Sequence, residues 1–464
     1  MGLSAFSVHG HFYQPPREDP TSGRIPLEPS AAPFHNWNER IHSECYLPNA
    51  ELQNFARISF NIGPTLFSWL NAYHPDTAAR IVAQDRANTT RFGVGNALAQ
   101  AYNHTILPLG SLQDKLTQVY WGIADFEAHF GRRPQGLWLP ETAVDLETLE
   151  VLARLGLQFT ILAPWQANRE IDATEPYSVP LPGGREISVF FYQRELSGLI
   201  SFDPGVTINA DHFVQHNLQP RFNPEKQRRG EPQLVLLASD GELYGHHQQL
   251  RDRFLARLVD GAASSRDLQP TYPALWLQQH PARQQVGIRE ATSWSCHHGV
   301  GRWTGACPCT PPDPQWKVRL WQAVHGLAQA LDEQYFAALQ PLVNDPWLLR
   351  HHYIHVMLGR MTLNQLLAEH TQRTLTSPKL VQIGSWLEAQ RERQRMFTSC
   401  GWFFEDFDRI EPKNNLAYAA RAIQLARAAG ADDLAPAFER SLAGVASQLS
   451  GLRAEQVFAA CRAN

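Results

Sequence analysis

The sequence predicts an α/β fold, a βα barrel followed by an α-helical C-terminal region. Short apolar runs alternate with amphipathic helical patterns over roughly the first 300 residues, which is typical of a parallel sheet. Several of these runs end in polar residues, which favours a closed barrel because barrel sites lie at the C-terminal ends of the strands. After about residue 305 the pattern becomes helical throughout.

Six short runs predict the strands. They are rich in β-branched or aromatic residues and almost continuously apolar, as strands buried on both faces are. The runs cover residues 3–11, 56–63, 136–141, 159–164, 187–193 and 234–242.

Amphipathic stretches predict the helices between and after these strands. Residues 112–131 and 145–156 have helical periodicity, and the second stretch ends at Gly156, a favoured helix terminator. In the C-terminal region the same periodicity covers 318–339, 347–370 and 416–430.

Two long segments interrupt the alternation of strands and helices. Residues 12–55 are polar and rich in proline, and residues 203–231 are basic. We expect loops without regular structure, either functional lids or disordered segments. The prediction is therefore a barrel over 1–305 with insertions at 12–55 and 203–231, followed by a helical domain over 306–464.

Composition excludes several classes of protein. With 43% hydrophobic and 19% charged residues the chain is an ordinary globular protein, and its net charge of -4 argues against a nucleic-acid partner. No apolar run approaches the ~18 residues of a membrane span. The N-terminus lacks the features of a secretory signal, so we expect a cytoplasmic protein. The oligomeric state stays open.

Aromatic residues are unusually frequent. The chain has 13 Trp and 19 His, and a large aromatic core would account for most of the tryptophans. Sugars present apolar C–H faces that stack on aromatic rings. Tryptophans in loops would therefore suit a carbohydrate-binding cleft.

Three predicted strands end in polar side chains that could carry chemistry. In a barrel these ends converge on one cleft, and two separated carboxylates in a cleft are what glycoside hydrolysis uses. The side chains are those of His9 and His11, of Glu141, and of Asp240, Glu242 and His246.

Four motifs at these positions together resemble glycoside hydrolase family 57, whose members mostly act on α-glucans. HGH followed by QP resembles the first motif, although Phe12 and Tyr13 separate His11 from Gln14. AYNHTILPL resembles the second, WLPE the third and SDGELYG the fourth. The resemblance implies that Glu141 is the nucleophile and Asp240 the acid/base.

The resemblance also implies the fold and the wider site. The fold would be an incomplete barrel of seven βα units, and the reaction would retain configuration without cofactor or metal, as an amylase or glucanotransferase does. Retention requires carboxyl groups roughly 5–5.5 Å apart. The substrate-binding candidates are His9, His11, His104, Trp138, Glu242, His246, Trp294, Trp303 and Trp402.

The expected protonation of Asp240 follows from the presence of several carboxylates in one site. We expect neighbouring carboxylates to raise the pKa of Asp240, because like charges in one site resist joint ionisation. Glu242 reads as a supporting or helix-start acid rather than a catalytic one. His9 and His11 are two residues apart on a strand and should share a face.

A cysteine-rich segment follows the predicted barrel. CHHGVGRWTGACPC contains Cys296, His297, His298, Cys307 and Cys309. Soft ligands suit zinc, but the spacing matches no common zinc module. We therefore expect reduced thiols packed in a loop, and metal binding by Cys296, Cys307 and Cys309 stays open.

Two alternative functions remain at this point. A metal-dependent polysaccharide deacetylase also uses an incomplete βα barrel, but it needs an Asp pair after the first strand, which ends here in HGHFYQ. A catalytically retired carbohydrate-binding protein is the other, and the presence of both motif acids argues against it. Hydrolysis, transfer and branch formation are not distinguished by sequence, nor are the exact glycan and its linkage.

Overall fold

The computed structural model describes residues 3–305, 307–310 and 315–463. The chain forms two compact units: the first comprises 1–16, 27–101 and 126–294, and the second 17–26, 102–125 and 295–464. The predicted boundary between 305 and 306 falls at Ala306, outside the described residues. No helix in the described part of the chain combines the length and the apolar character needed to cross a membrane.

Ten strands are found within the described residues, all in the first unit. They are β1 Ser4–Phe12, β2 Ser59–Ile62, β3 Ala97–Gln100, β4 Leu137–Trp138, β5 Phe159–Leu162, β6 Tyr177–Pro180, β7 Glu186–Phe191, β8 Gln233–Asp240, β9 Gln269–Pro270 and β10 Gln284–Gln285.

The strands form an incomplete barrel. One parallel sheet has the order β4-β3-β2-β1-β8, with β9 also pairing with β1. A second, mixed sheet has the order β10-β6-β7-β5, in which β6 and β7 are antiparallel. A parallel bridge between Gly136 and Phe159 joins the two sheets at β4 and β5. Seven strands (β8, β1, β2, β3, β4, β5 and β7) therefore follow one another side by side, as the predicted fold class requires.

All six predicted strands are present, and their apolar character follows from their burial. Every residue of β1 is buried, and so are seven of the eight residues of β8, up to the exposed Asp240. Side chains from both sheets, among them Leu98, Trp138, Phe159 and Leu236, share one hydrophobic cluster. The strand β3 was not predicted from sequence, because its residues ALAQ include neither β-branched nor aromatic side chains.

Helices cover the strands of the first unit. Asp145 caps one of them by accepting from Thr148 N, and Gly156 follows it with a left-handed φ of 81°. The helices outside the insertions are Pro64–Tyr73, Pro75–Phe92, Leu146–Arg154, Arg194–Phe202, Arg251–Arg257 and Pro273–Gln279, and Leu112–Phe130 contributes residues to both units.

Both insertions contain short helices, which corrects the expectation from sequence, although residues 13–28 of the first have neither helix nor strand. Short helices occupy them because asparagine side chains cap their first turns: Asn36 accepts from Glu39 N, and Asn209 accepts from His212 N. The first insertion contains Trp37–Ile41, His42–Tyr46 and Leu47–Glu51, and the second contains Ala210–Phe213, Val214–Leu218 and Pro224–Arg229.

The second unit is helical, as predicted. The periodic stretch 347–370 is broken into three helices, and a further helix at 377–395 was not predicted because its apolar residues have weak helical periodicity. The helices are Gly301–Thr304, Gln315–Leu339, Pro346–His352, Ile354–Met357, Leu363–His370, Ser377–Arg395, Cys400–Phe403, Ile410–Ala428, Ala435–Ser441 and Ala454–Ala463.

Candidate active site

His9 and His11 lie on one face of β1, as their spacing predicted. Both rings stack on Trp138, with centroids 4.6 and 5.2 Å away, and both hydrogen-bond with the side chain of Asn61. Burial lowers the pKa of His9 to about 3 and that of His11 to about 4. Both imidazoles are therefore neutral at physiological pH.

Asn61 and Gln100 complete this layer and were missed from sequence. Asn61 near the end of β2 donates to Gln100 Oε1 at 2.7 Å, at the end of β3. Ser59 Oγ holds His9 Nδ1 at 2.9 Å. Asn61 and Gln100 are polar residues at the ends of apolar strands, which is the same pattern that indicated Glu141.

Trp138 is fully buried between these histidines and Trp294. Its ring meets that of Trp294 edge to face at 5.1 Å. A ring without exposed area holds neighbouring side chains in place. The predicted contact of Trp138 with substrate stays a prediction.

Glu141 follows β4 in a strained backbone conformation. Its φ of 57° and the φ of 47° at Thr142 are both left-handed, which is rare for a β-branched residue such as threonine. Gln166 stabilises this turn by accepting from Thr142 Oγ1 and donating to Thr142 O. Strain held in place by surrounding bonds is frequent at functional sites.

Trp294 orients the carboxylate of Glu141. Its Nε1 donates to Glu141 Oε2 at 3.0 Å, and its backbone N donates to Glu141 O, also at 3.0 Å. Glu141 is half-buried, so it reaches the solvent side of the site. Trp294 was predicted as a sugar platform, and that role stays a prediction.

Asp240 ends β8, beside the end of β1, where it pairs in register with His11. It is exposed by surface area, yet the protein around its carboxyl desolvates the charged form. That desolvation, followed by the charge of Glu141, raises the pKa of Asp240 to about 7. The direction expected from sequence is confirmed, although burial is the larger cause.

Glu242 is buried two residues further along. Its Oε1 accepts from Tyr46 Oη at 2.7 Å and from Tyr13 N at 3.0 Å. Desolvation is the largest cause that raises its pKa, to about 8, and Asp240 adds to it. A buried acid with these partners is suited to support the site. The predicted contact of Glu242 with substrate stays a prediction.

His246 contacts the first insertion. Its Nδ1 hydrogen-bonds with Glu44 Oε2, and its ring meets Trp37 edge to face at 5.7 Å. Asn49 Nδ2 also donates to Tyr244 O at 2.7 Å. Tyr46, Glu44 and Asn49 were not assigned from sequence, because nothing local in an insertion indicates which distant loop it contacts.

Three predicted site residues belong to the second unit. His104 is buried and its Nδ1 hydrogen-bonds with Ser399 Oγ at 2.6 Å. Trp303 and Trp402 are fully buried and line one pocket together with Trp321 and Phe397. Their predicted contacts with substrate stay predictions.

The arrangement favours acid–base and nucleophilic chemistry over metal chemistry at β1. Both ring nitrogens of His9 are engaged by Ser59 and Asn61, which is unlike a histidine pair that holds zinc in a deacetylase. In the described part of the chain, the one cluster of metal-ligand side chains lies in the second unit and contains none of these residues.

Comparison with known proteins extends this description. Residues 87–284 match the family model of glycosyl hydrolase family 57, and residues 313–460 match a domain of unknown function, DUF3536. No curated protein matches the sequence significantly.

Solved structures share the fold at low sequence identity. An exo-type maltose-forming amylase from Pyrococcus sp. ST04 aligns with a TM-score of 0.76 at 16% identity, over 94% of this chain and 82% of that one. A branching enzyme from Pyrococcus horikoshii aligns at 0.63 and 15%, over 99% and 94%. A 4-alpha-glucanotransferase from Thermococcus litoralis aligns at 0.58 and 16%, over 91% and 60%.

The motif acids lie at strand ends in an incomplete barrel, and the matched region contains both of them. Over residues 87–284, this chain is similar to glycosyl hydrolase family 57.

Proposed function

We propose that this chain is a retaining glycoside hydrolase or transglycosylase that acts on α-glucans. One observation carries the proposal: Asp240 ends one strand of the barrel and Glu141 follows another, and Asp240 has a pKa of about 7 raised in part by the charge of Glu141. A carboxylate paired with a carboxylic acid that stays protonated near neutral pH is the pair a two-step glycosidase uses.

The proposed reaction runs in two steps. In the first, Glu141 attacks the anomeric carbon while Asp240 donates its proton to the leaving glycosidic oxygen, which gives a covalent glycosyl ester. In the second, Asp240 takes a proton from water or from a sugar hydroxyl, which attacks the anomeric carbon and releases Glu141. The Trp294 hydrogen bond keeps one oxygen of Glu141 oriented throughout.

The neutral histidines fit the same role assignment. Because His11 is uncharged at physiological pH, it would meet a sugar hydroxyl through a hydrogen bond without competing as a cation for Glu141. His9, whose ring nitrogens are engaged by Ser59 and Asn61, would support it from within the protein. Asn61 and Gln100 fix the orientation of these rings.

The class of substrate is inferred from the fold relatives. Structures with this fold include a maltose-forming amylase, a branching enzyme and a glucanotransferase, which supports an oligo- or polysaccharide substrate. Hydrolysis and transfer share the two carboxyl groups and differ in whether water or a sugar reaches the intermediate.

The test is a product profile on maltooligosaccharides with the anomeric configuration followed by NMR. We expect retained configuration, loss of turnover of at least ~1,000-fold in Glu141→Gln, and unchanged turnover in Glu170→Gln, an exposed acid of the same unit. Azide added to Glu141→Ala should form a glycosyl azide of inverted configuration. Inverted product from the wild type would reject the mechanism.

Asp240 is tested separately through pH. Because its acid form is the proton donor, kcat/KM should fall as pH rises above about 7, its raised pKa. Asp240→Asn should lose most activity on glucans but much less on aryl glucosides with acidic leaving groups. An unchanged alkaline limb in Asp240→Asn would contradict the assignment.

A further inference from the structure

A second cluster of reactive side chains lies in the second unit and contains neither of the two carboxylates. It consists of Cys296, His298, Cys307 and Cys309, whose potential ligand atoms all lie within 4.8 Å of one another. Cys296 and Cys307 are buried, Cys309 is half-buried and His298 is exposed. We propose that these four side chains bind one zinc ion as a structural site.

The distances within the cluster are those of a tetrahedron around zinc. Cys296 Sγ lies 3.6 Å from Cys307 Sγ and 3.9 Å from Cys309 Sγ. Zn–S bonds of about 2.3 Å at tetrahedral angles place two sulfurs about 3.8 Å apart. A disulfide would need about 2.05 Å, so the same distances exclude an S–S bond between these pairs.

The distances from the histidine to the cysteines also match a tetrahedral zinc site. His298 Nδ1 lies 3.4 Å from Cys307 Sγ and 3.4 Å from Cys309 Sγ. With a Zn–N bond of about 2.0–2.1 Å, the tetrahedral S···N edge is about 3.5 Å. These four ligand–ligand distances fit one tetrahedral zinc ion, and all four ligand atoms lie within 4.8 Å of one another.

Two tight turns produce this arrangement from ligands only two residues apart. Gly299, in a left-handed conformation with φ 77°, donates from its N to Cys296 O and turns the chain at His298. Thr310 N donates to Cys307 O and turns the chain at Cys309. The Cys-x-His and Cys-x-Cys pairs are shorter than common zinc modules, which is why sequence spacing did not indicate the site.

The charge around the cluster complements a zinc–thiolate centre. Three thiolates, a neutral imidazole and Zn²⁺ carry a net charge of about −1. Lys317 is buried, donates from Nζ to Arg302 O and Thr310 Oγ1, and interacts electrostatically with Cys296 and Cys307. The other nearby cation, Arg302, pairs with Glu405, which leaves Lys317 to balance the centre.

Four protein ligands leave no position for a substrate, so the site would be structural. Between the two ligand pairs lies the short helix Gly301–Thr304, which carries the buried Trp303. Zinc would hold this helix, and with it the wall that Trp303 contributes to the pocket of Trp321 and Trp402.

Metal analysis of the full-length protein, purified with thiol protection and without chelators, tests the proposal. We expect about one zinc per chain by mass spectrometry of the metal, and release of that zinc when a mercurial reagent titrates the thiols. Replacement by Co²⁺ should give a thiolate-to-cobalt charge-transfer band and the intense visible bands of a tetrahedral ion.

Matched variants distinguish this cluster from other thiols and histidines. Cys307→Ser and His298→Asn should lose zinc or weaken its binding by at least ~10-fold. His297→Asn, the adjacent exposed histidine, and Cys461→Ser, a free cysteine elsewhere in the second unit, should keep it. Zinc retained in His298→Asn but lost in His297→Asn would overturn the ligand assignment.

Folding of the variants is followed by circular dichroism. The cobalt spectrum of the wild type tests the zinc site even if a variant does not fold. A folded wild type that neither contains zinc nor gives tetrahedral cobalt bands would overturn the site. A different metal on the same ligands would overturn the identity of the ion. The proposal is independent of the glycosidase proposal, because its readouts do not involve turnover.

Discussion

At the scale of single residues, polar side chains at strand ends carry the candidate site. The rule that indicated Glu141 and Asp240 also applies to Asn61 and Gln100, which lie in the same layer as His9. Gln100 was not assigned because β3 itself was not predicted, whereas Asn61 lies within a predicted strand and was not assigned either. The protonation of the acids, by contrast, depends on burial, which no local sequence pattern reports.

The pH dependence of the free energy of unfolding tests the burial of Glu242. Its pKa is about 8 in the folded protein against an ordinary 4.5, so its contribution is fully present below pH ~4.5 and is lost as pH rises through about 8. Glu242→Gln keeps an oxygen for Tyr46 and Tyr13 but removes the titration. We expect the variant to gain free energy of unfolding relative to wild type at pH 9, on the order of a few kcal/mol.

Thermal unfolding at pH 4.5 and pH 9 measures this difference, and the acid measurement is the control because the side chain at position 242 is uncharged in both folded proteins there. Parallel pH profiles for the two proteins would contradict the raised pKa.

At the scale of elements, the first insertion is ordered by its contacts with the loop after β8. Glu44, Tyr46 and Asn49 contact His246, Glu242 and Tyr244, in that order. The sequence did not predict the helices of the insertion, because their positions depend on that distant loop as well as on Asn36.

Gly245 is where this contact is closest. A Cβ there would lie 2.3 Å from Glu44 O, and its φ of 139° already disfavours any side chain. We expect Gly245→Ala to destabilise the protein by about 1–3 kcal/mol and to lower activity, because the loop that carries Glu242 must move.

Urea unfolding measures the loss, and Gly198→Ala is the matched control. Gly198 lies in the helix Arg194–Phe202 with no heavy atom within 4 Å of an added Cβ. This control should be neutral or stabilising by up to about 1 kcal/mol. Equal effects of the two substitutions would show that the insertion does not press on Gly245.

At the scale of the whole molecule, each unit has its own buried organisation. The first is built on the barrel core, and the second contains a buried ionic network in which Asp114 Oδ1 accepts from Arg393 at 2.8 Å, Gln394 at 2.7 Å and Arg350 at 3.3 Å. These partners are more than 200 residues away in sequence, so helical periodicity could not reveal them.

Asp114 makes the second unit sensitive to acid. The guanidinium groups of Arg393 and Arg350 outweigh its burial and hold its pKa well below the usual range. Its stabilisation is therefore present above pH ~4 and is lost as pH falls further. Asp114→Asn should cost about 3 kcal/mol at pH 7, because two buried cations keep Asp332 but lose the other of the two anions that they share.

Denaturant unfolding at pH 7 checks this value. Asp211→Asn, which removes an exposed partner of Arg257, should change stability little. A similar loss in both variants would contradict a special role for the buried network.

By itself the sequence determined the class of fold, six strands, the main helices and the two motif acids. These features are local: strand burial dictates apolar runs, helix packing dictates periodicity, and a motif is contiguous in the chain. Tertiary structure alone decided the raised pKa of Asp240 and Glu242, the partners of the first insertion and the convergence of Cys296, His298, Cys307 and Cys309. Desolvation, charge coupling and ligand geometry depend on distances between atoms remote in sequence, and only folding sets those distances.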